Sequence, residues 1–159
     1  MRKLKMYKAV QGFTLIELIV TVAIIGILLK IALPGYNSSI MQSRRTAAKT
    51  ALLDLASREA RYYSTNNAYT ATLANLGYGN YTAGTGTGAT PSISLPLNGS
   101  GEYYDLTVVI NGASTTFTGT ATAVNSQASD GCGNYTLDNF GNQQANGQVG
   151  ATANGINCW

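Results

Sequence analysis

A run of apolar residues at positions 13–33 constrains this chain more than any other feature of its sequence. Its 21 residues carry only two formal charges, Glu17 and Lys30, and as a helix they would extend about 30 Å, the thickness of the hydrocarbon core of a bilayer. The run can therefore cross a membrane. A cleaved secretory signal has a small-residue cleavage site after its apolar segment, whereas this run is followed by Pro34 and Gly35. We expect the apolar segment to be retained.

The charged residues are divided unevenly along the chain. All ten Lys and Arg lie at or before Arg61, and residues 62–159 carry four acidic groups and no cation. Four cations lie in residues 1–12, which by the positive-inside rule places the N-terminus in the cytoplasm and the bulk of the chain outside it. An acidic head argues against binding of nucleic acid through its phosphates. With no His and two Cys, we expect no enzyme activity, no cofactor and no metal site.

Glu17 is the most informative residue, because a carboxylate five residues into an apolar helix costs a few kcal/mol in lipid unless it is paired or neutralised. The sequence around it is KAVQGFTLIELIVTVAIIGILLKIALPGY. This segment resembles the N-terminal motif of type IV pilins and related pseudopilins. The resemblance makes Gly12 the last leader residue, Phe13 the first mature residue and Glu17 the fifth. It covers residues 1–35 closely and the rest of the chain only in layout.

The resemblance implies cleavage between Gly12 and Phe13 by the prepilin peptidase, a membrane aspartic protease that also methylates the new amino terminus. Glycine lets an extended backbone enter a narrow protease cleft, because it lacks a side chain. In the family, the Glu17 carboxylate of one subunit meets the amino terminus of Phe13 in a neighbour, and the pair sets the axial register of the assembly. The alternative is a transmembrane carboxylate that snorkels or stays protonated.

Residues 34–63 keep their helix-forming character but are no longer apolar on every side of the helix. An apolar stripe at helical spacing predicts that the helix continues through them as an amphipathic stem. The stripe consists of Ala48, Leu52, Leu55 and Tyr62. Asp54 and Arg58 form an i, i+4 pair of favourable order. Pro34 lacks a backbone N–H and Gly35 weakens the turn, so we expect a kink or a locally opened stretch there, either as a source of filament flexibility or as a plain membrane-exit kink.

Beyond the stem the sequence predicts turns and a few strands. A long loop is expected around residues 82–91, preceded by a short helical turn at 72–76. Residues 103–110 alternate in polarity and predict a half-buried strand whose apolar face packs on the leucines of the stem. A third strand is expected at residues 134–138, before a loop-rich tail from Asn142 onward.

Asn111–Gly112 is a strong signal for a two-residue hairpin turn of type I′ after the first strand. Closing the hairpin there sets its register. The predicted pairs are Ile110 with Ala113, Leu106 with Phe117, and Tyr104 with Gly119. In this register large side chains face each other and an aromatic ring covers a glycine, which is favourable for a sheet.

Cys132 and Cys158 are the two cysteines of the chain. If the head lies outside the cytoplasm, they most simply form one disulfide, worth roughly 3–4 kcal/mol in the loop-entropy model. The alternative is two unpaired buried thiols. The pilin family commonly has such a disulfide-bounded C-terminal region, and the ending TLDNFG followed by a final CW resembles a minor-pilin subgroup.

The remaining charged and aromatic residues give weaker signals. We interpret the stem cations as groups that solvate the stem or meet acidic heads of adjacent subunits, rather than as a binding stripe. These are Arg44, Arg45, Lys49, Arg58 and Arg61. The acidic residues lack the spacing of a calcium loop and are expected at the surface or in turns. The tyrosines after Arg61 are expected in the core and sheet rather than as a stacking platform for nucleic acid.

The expected fold is α+β, with a long kinked N-terminal helix packed on a small antiparallel sheet. Residues 1–12 are the leader, 13–63 the helix and 64–159 the head. The resemblance implies a structural subunit of a type IV pilus, a minor pilin, which is held in the inner membrane and then extracted into an extracellular filament. Its partners would be other pilins, the prepilin peptidase and the inner-membrane assembly machinery. The alternatives are a DNA-binding minor pilin for natural transformation, a type II secretion pseudopilin and a plain membrane-anchored periplasmic protein.

Overall fold

This computed structural model describes residues 12–79, 92–96, 101–149, 152–153 and 156–159. Within them a long helix, α1 (Leu15–Asn66), is followed by a head of short strands. The chain divides into two compact units between Ser39 and Ile40, and α1 contributes to both. Residues 1–11 of the predicted leader and the loop predicted around 82–91 lie outside the described residues.

The helix predicted over residues 13–63 is confirmed, with Leu15 as its first residue and Asn66 as its last. The predicted apolar stripe is also confirmed, because Ala48, Leu52 and Leu55 are fully buried against the head. The backbone stays helical through residues 34–35, so no opened stretch is seen there, and the kink stays a prediction.

The head contains a six-stranded antiparallel sheet in which each strand lies beside its neighbour in sequence. Its strands are β1 (Ser92–Leu95), β2 (Tyr104–Asn111), β3 (Thr116–Ala123), β4 (Tyr135–Asp138), β5 (Gln143–Ala145) and β6 (Gln148–Val149). A separate two-stranded ribbon follows, with β7 (Thr152–Ala153) and β8 (Ile156–Asn157). Burial alternates along β2 and β3, as expected for a sheet that packs one face on the stem and leaves the other to solvent.

Two local predictions in the head are confirmed. The short helical turn expected at residues 72–76 is a 3₁₀ turn at Leu73–Leu76, and the third strand expected at 134–138 is β4. The loop-rich tail expected from Asn142 onward was wrong in part, because β5 to β8 are short strands within it, and β1 is a strand that the sequence did not predict. The sequence of β5, rich in Gln, has low strand propensity, so its pairing with β4 depends on the sheet already being there.

The predicted hairpin is present, but the prediction of its turn is wrong. Asn111 is the last residue of β2 and pairs with Thr116, so the loop comprises residues 112–115 instead of Asn111–Gly112. The Thr115 N–H donates to the Gly112 carbonyl and closes this loop. The Asn-Gly signal therefore marks the beginning of a longer turn.

The wider turn shifts the register of the hairpin. Ile110 pairs with Phe117, Leu106 with Ala121 and Tyr104 with Ala123, in place of the predicted Ala113, Phe117 and Gly119. An even shift keeps the same side chains facing the stem, so the predicted apolar face is right although the partners are not. The observed register extends the ladder along all of β3 and places small residues of this strand over the stem.

Gly119 lies where β3 packs against the stem. A Cβ atom at this position would lie 2.7 Å from Leu55 Cδ2 and 3.2 Å from Leu52 Cδ2. Both distances are shorter than the optimal separation of non-bonded carbon atoms. The absence of a side chain at Gly119 therefore allows the sheet to rest directly on two fully buried leucines.

Gly119→Val is expected to lower the free energy of unfolding by about 1–3 kcal/mol, because the new side chain needs space that Leu52 and Leu55 occupy. Urea or thermal unfolding of the detergent-solubilised chain measures the change. Thr118→Val, at the half-exposed neighbouring position, is the matched control and should change stability much less. In the double variant Gly119→Val/Leu55→Ala, the loss in free energy of unfolding should be smaller than the sum of the two single losses. Fully additive losses would contradict the close approach.

Candidate assembly site

The start of α1 is capped by a threonine. The Thr14 hydroxyl accepts the backbone N–H of Glu17 at 3.3 Å, and the Thr14 carbonyl accepts the N–H of Leu18 at 3.2 Å. Thr14 and Glu17 thus occupy the first and fourth positions of a capping box, with the carboxylate in the positively polarised first turn. The T-x-x-E spacing is a signal for a helix start that sequence reasoning missed.

The three residues predicted to act in processing and pairing lie together at this end of the helix. Gly12 and Phe13 precede the capped turn, and the Phe13 side chain is 83% exposed. Glu17 is exposed and makes no ion pair with any described residue. A partner for this carboxylate would have to come from outside the part of the chain that the structure describes.

The apolar half of α1 is exposed on all sides. Every Leu, Ile and Val side chain in residues 15–33 is between 48% and 76% exposed. By length and composition this helix can cross a membrane. Such an extent of exposed apolar surface requires lipid or other apolar helices around it, because water penalises it strongly.

Arg45 joins the stem to the C-terminal part of the head. Its guanidinium makes a two-pronged ion pair with Asp130, whose side chain is almost completely buried. The hydrogen bond to Asp130 raises the pKa of Arg45. This is a correction to the sequence interpretation, since Arg45 neither solvates the stem nor awaits a neighbouring head. Nothing local indicates the pair, because 85 residues separate its members.

Two further stem cations are engaged within the head. Arg44 donates to the Ser126 hydroxyl at 2.7 Å and lies 5.3 Å from the centroid of the Tyr103 ring. Arg58 forms the predicted i, i+4 pair with Asp54 at 2.7 Å and also stacks on Tyr78. Lys49 and Arg61 make no ion pair with the described residues.

Buried polar groups surround the Arg45–Asp130 pair. The Gln127 amide donates to Asp130 at 3.0 Å and to the Tyr104 hydroxyl at 3.4 Å. Burial raises the pKa of Tyr135 to about 12, so its hydroxyl stays protonated at neutral pH. The Tyr135 hydroxyl and the Gln127 carbonyl oxygen have no hydrogen-bond partner among the described residues. The network fixes the head on the stem, since breaking it would leave a charge buried.

Glu59 is a buried carboxylate that sequence reasoning missed. One oxygen accepts the Thr70 N–H at 3.2 Å, and the other has no partner among the described residues. Burial raises the pKa of Glu59, and the hydrogen bond from Thr70 opposes this effect. The interruption of the apolar stripe at position 59, one turn after Leu55, was the available signal. Glu59 ties the segment that follows α1 back to the stem.

The predicted disulfide between Cys132 and Cys158 is present, and both residues are fully buried. The final residue adds to this attachment. The Trp159 indole N–H donates to the Gln144 carbonyl at 2.7 Å, and its ring packs edge-on against Tyr135. The disulfide therefore holds the C-terminus to the segment before β4, and Trp159 holds it to β4 by an aromatic contact and to β5 by a hydrogen bond.

The described residues show no constellation for catalysis or metal binding. No group of three or more Asp, Glu, Cys or His residues among them is arranged to hold a metal ion. The buried acids are committed to structure, Asp130 by its ion pair and Glu59 by Thr70. What the arrangement can do is assemble: it presents an exposed apolar helix that begins at a capped, acidic turn.

Comparisons with known proteins show the family to which this chain belongs. The family model described as "Type IV minor pilin ComP, DNA uptake sequence receptor" matches residues 34–136, and the model "Prokaryotic N-terminal methylation motif" matches residues 7–32. The first match alone covers more than half of the chain. This chain therefore belongs to the type IV pilins, in the family of the minor pilin ComP.

Individual relatives match over less than half of this chain. The type IV major pilin PilA of Myxococcus xanthus is 38% identical over 68 residues, which are 43% of this chain and 31% of that protein. Fimbrial protein EcpC of Eikenella corrodens is 41% identical over 73 residues, which are 45% of this chain and 48% of that protein. The chain thus spans less than half the length of these relatives. A solved type IV pilin from Shewanella oneidensis is 26% identical, with a TM-score of 0.47, covering 75% of this chain and 97% of that one.

Glu59 gives a pH dependence whose sign follows from burial. Because burial raises the folded-state pKa above the ordinary value of 4.5, the stability linked to this group is fully present below that value and is lost as the pH rises through the folded pKa. Glu59→Gln, which imitates the protonated acid, should therefore melt higher than the wild type at pH 8, and the difference should disappear below pH 4.5. Thermal melts across this range measure it.

The matched control is Glu102→Gln, at an exposed position of the head. Its difference from the wild type should not follow the same pH course. A gap between Glu59→Gln and the wild type that stays constant from pH 4 to pH 8 would contradict burial of an ionised carboxylate at this position.

Proposed function

We propose that this chain is a structural subunit of a type IV pilus, a minor pilin that enters an extracellular filament through its apolar N-terminal helix. The observation that carries the proposal is the exposure of every Leu, Ile and Val side chain in residues 15–33. A surface of this kind is stable in lipid or inside a bundle of similar helices. We infer no enzymatic role for the chain.

Before assembly, the chain would lie in the inner membrane as a single-pass protein with a cytoplasmic N-terminus and a periplasmic head. The cations of residues 1–12 support this orientation. The prepilin peptidase would cut between Gly12 and Phe13, which precede the helix and leave an accessible stretch of backbone. Inner-membrane assembly machinery would then extract the subunit into a filament with other pilins.

Within the filament, the Glu17 carboxylate would meet the amino terminus of Phe13 in a neighbouring subunit. Two facts support this pairing. Glu17 has no ion-pair partner among the described residues, and it lies in the first turn of the helix, close to where cleavage would create the amine. Each charge alone is unfavourable in an apolar bundle, and together they compensate, so the pair would fix the axial offset between helices.

Two substitutions separate processing from assembly. Gly12→Val should block maturation, because a branched side chain hinders entry of the backbone into the protease cleft. Glu17→Ala should be processed normally but should be lost from filaments. Mass spectrometry of membrane fractions and of sheared surface filaments reports both the mature end and incorporation.

Leu18→Ala, at the neighbouring exposed position, is the control for a general loss of helix apolarity. Filaments that contain Glu17→Ala subunits at the wild-type level would overturn the pairing. Wild-type chain that keeps residues 1–12 and never occurs in filaments would overturn the proposed function.

Capture of DNA is a second candidate, favoured by the matched family description, which names a DNA uptake sequence receptor. The charges of this chain argue against it. Residues 62–159 contain no cation, and Arg45 and Arg58 are occupied by Asp130 and Asp54. Beyond the membrane segment this leaves few cations for phosphates, namely Arg44, Lys49 and Arg61.

A salt titration distinguishes the candidates. If the detergent-solubilised mature chain binds duplex DNA, the plot of log affinity against log salt should have a slope no steeper than about −3, at roughly −0.9 for each phosphate contact. Lys49→Gln and Arg61→Gln should each make the slope shallower by about one unit. A gel shift measures this. We expect no complex at about 150 mM salt, and a stable complex there would make DNA capture the better proposal.

A further inference from the structure

The turn between β5 and β6 consists of the dipeptide Asn146–Gly147. Ala145, the last residue of β5, pairs with Gln148, the first residue of β6, so the turn has two residues. Both of them have positive φ angles, 51° for Asn146 and 73° for Gly147. These are the features of a type I′ hairpin turn.

Asparagine followed by glycine can deamidate without an enzyme, because glycine has no side chain to hinder attack by its own amide nitrogen. The Gly147 nitrogen forms a bond to Asn146 Cγ, and the bond from Cγ to Nδ2 breaks. Nδ2 takes up the proton of the Gly147 amide and leaves as ammonia, so that a cyclic imide remains. Water then opens this imide at either carbonyl and gives aspartate or isoaspartate at position 146. Nothing is oxidised or reduced, and solvent supplies the water.

The reacting groups at this turn are accessible. Asn146 and Gly147 are both exposed. Neither the Asn146 carboxamide nor the Gly147 N–H makes a hydrogen bond with any described residue. The backbone N–H of Asn146 does donate to the Asn134 carbonyl at 2.8 Å, but this bond lies before the segment that reacts.

The folded turn has to open before the imide can close, because the Asn146 carboxamide must rotate toward the Gly147 nitrogen. In the fold it rests against Gly133, where a Cβ atom would lie 3.1 Å from Asn146 Oδ1. The strand that must move is weakly held. β6 has two residues, lies at the edge of the sheet and pairs with β5 at two positions. Short pairings at an edge open at a lower free energy than the central strands of a sheet.

Asn111–Gly112 is the same dipeptide in a more restrained place. It is equally exposed, but Asn111 pairs with Thr116 at the end of the eight-residue strand β2. The loop that follows is tied to the segment after the stem, since the Tyr69 N–H donates to the Ser114 carbonyl at 2.9 Å. Opening this turn therefore disrupts more contacts than opening the turn between β5 and β6.

We propose that Asn146–Gly147 is a site of spontaneous deamidation, at which the folded chain acquires aspartate or isoaspartate as it ages. Either product adds a negative charge to residues 62–159, which already carry four acidic groups and no cation. Isoaspartate also directs the backbone through its own side chain. The turn is then longer by a methylene group, which opposes the pairing of Ala145 with Gln148.

Peptide mapping of aged, folded chain tests the site. The detergent-solubilised full chain is incubated at mildly alkaline pH, which promotes loss of the amide proton, then reduced and digested with pepsin at acid pH, where the reaction stops. Cleavage near Phe117 and Phe140 separates Asn111 from Asn146. Tandem mass spectrometry then locates the change from NH₂ to OH. We expect deamidation at Asn146 to be about fivefold or more faster than at Asn111, because its turn opens more readily.

Denatured chain is the matched control. In concentrated guanidinium chloride, with the disulfide reduced, Asn146 and Asn111 should react at similar rates, because the dipeptide is the same and the fold is lost. Equal rates in the folded chain, or a faster rate at Asn111, would overturn the proposal. An unchanged preference for Asn146 in the denatured chain would also overturn it, since the difference would then come from the neighbouring sequence.

Hydrogen exchange gives an independent readout. The backbone amides of residues 148–149 should exchange about fivefold or more faster than those of residues 109–111. Exchange of β6 as slow as that of β2 would contradict the proposal. Asn146→Asp carries the charge of the product without the longer backbone, so aged chain with isoaspartate should exchange faster than this variant in residues 143–149. Equal exchange of the two would contradict the predicted effect on the turn.

Discussion

The direct contact between the sheet and two leucines of the stem is the constraint on which the head depends. Leu52 and Leu55 are fully buried, and Gly119 lets β3 approach them more closely than any side chain would permit. The next buried residue on β3, Ala121, is also small. Aromatic and branched residues of β2 and β4 pack in the same core.

One helix thus meets two different environments along its length. In residues 15–33 exposed apolar side chains lie on every side of it, and in residues 40–62 the buried apolar side chains form one stripe. The two parts of the helix therefore have different roles. The first part is buried only by partners in an assembly, whereas the second part is buried by the sheet of the same chain. The charges follow the same division: the stem cations Arg45 and Arg58 are engaged in holding the head.

Sequence patterns predicted what depends on local order. The helix, its buried stripe, the Leu73–Leu76 turn, β4 and the inward face of the hairpin all follow from periodicity or from turn residues. The register of the hairpin could not be predicted in this way. A local Asn-Gly signal favours a tight turn and carries no information on how many residues of the two strands pair when the turn is longer. The Arg45–Asp130 pair and the burial of Glu59 are tertiary facts: the first joins distant segments, and the second places a charged residue within an apolar stripe. At the candidate assembly site, the roles of Gly12, Phe13 and Glu17 stay predictions from the motif, and the Thr14 cap was overlooked.

The bond between Cys132 and Cys158 has a consequence for durability. It encloses β4, β5 and β6 within a covalent ring. A proteinase that cuts one peptide bond inside this ring leaves both fragments joined through sulfur, and Trp159 still anchors the far end against Tyr135. A single nick in the most turn-rich part of the head would therefore open the backbone without shedding any part of the protein.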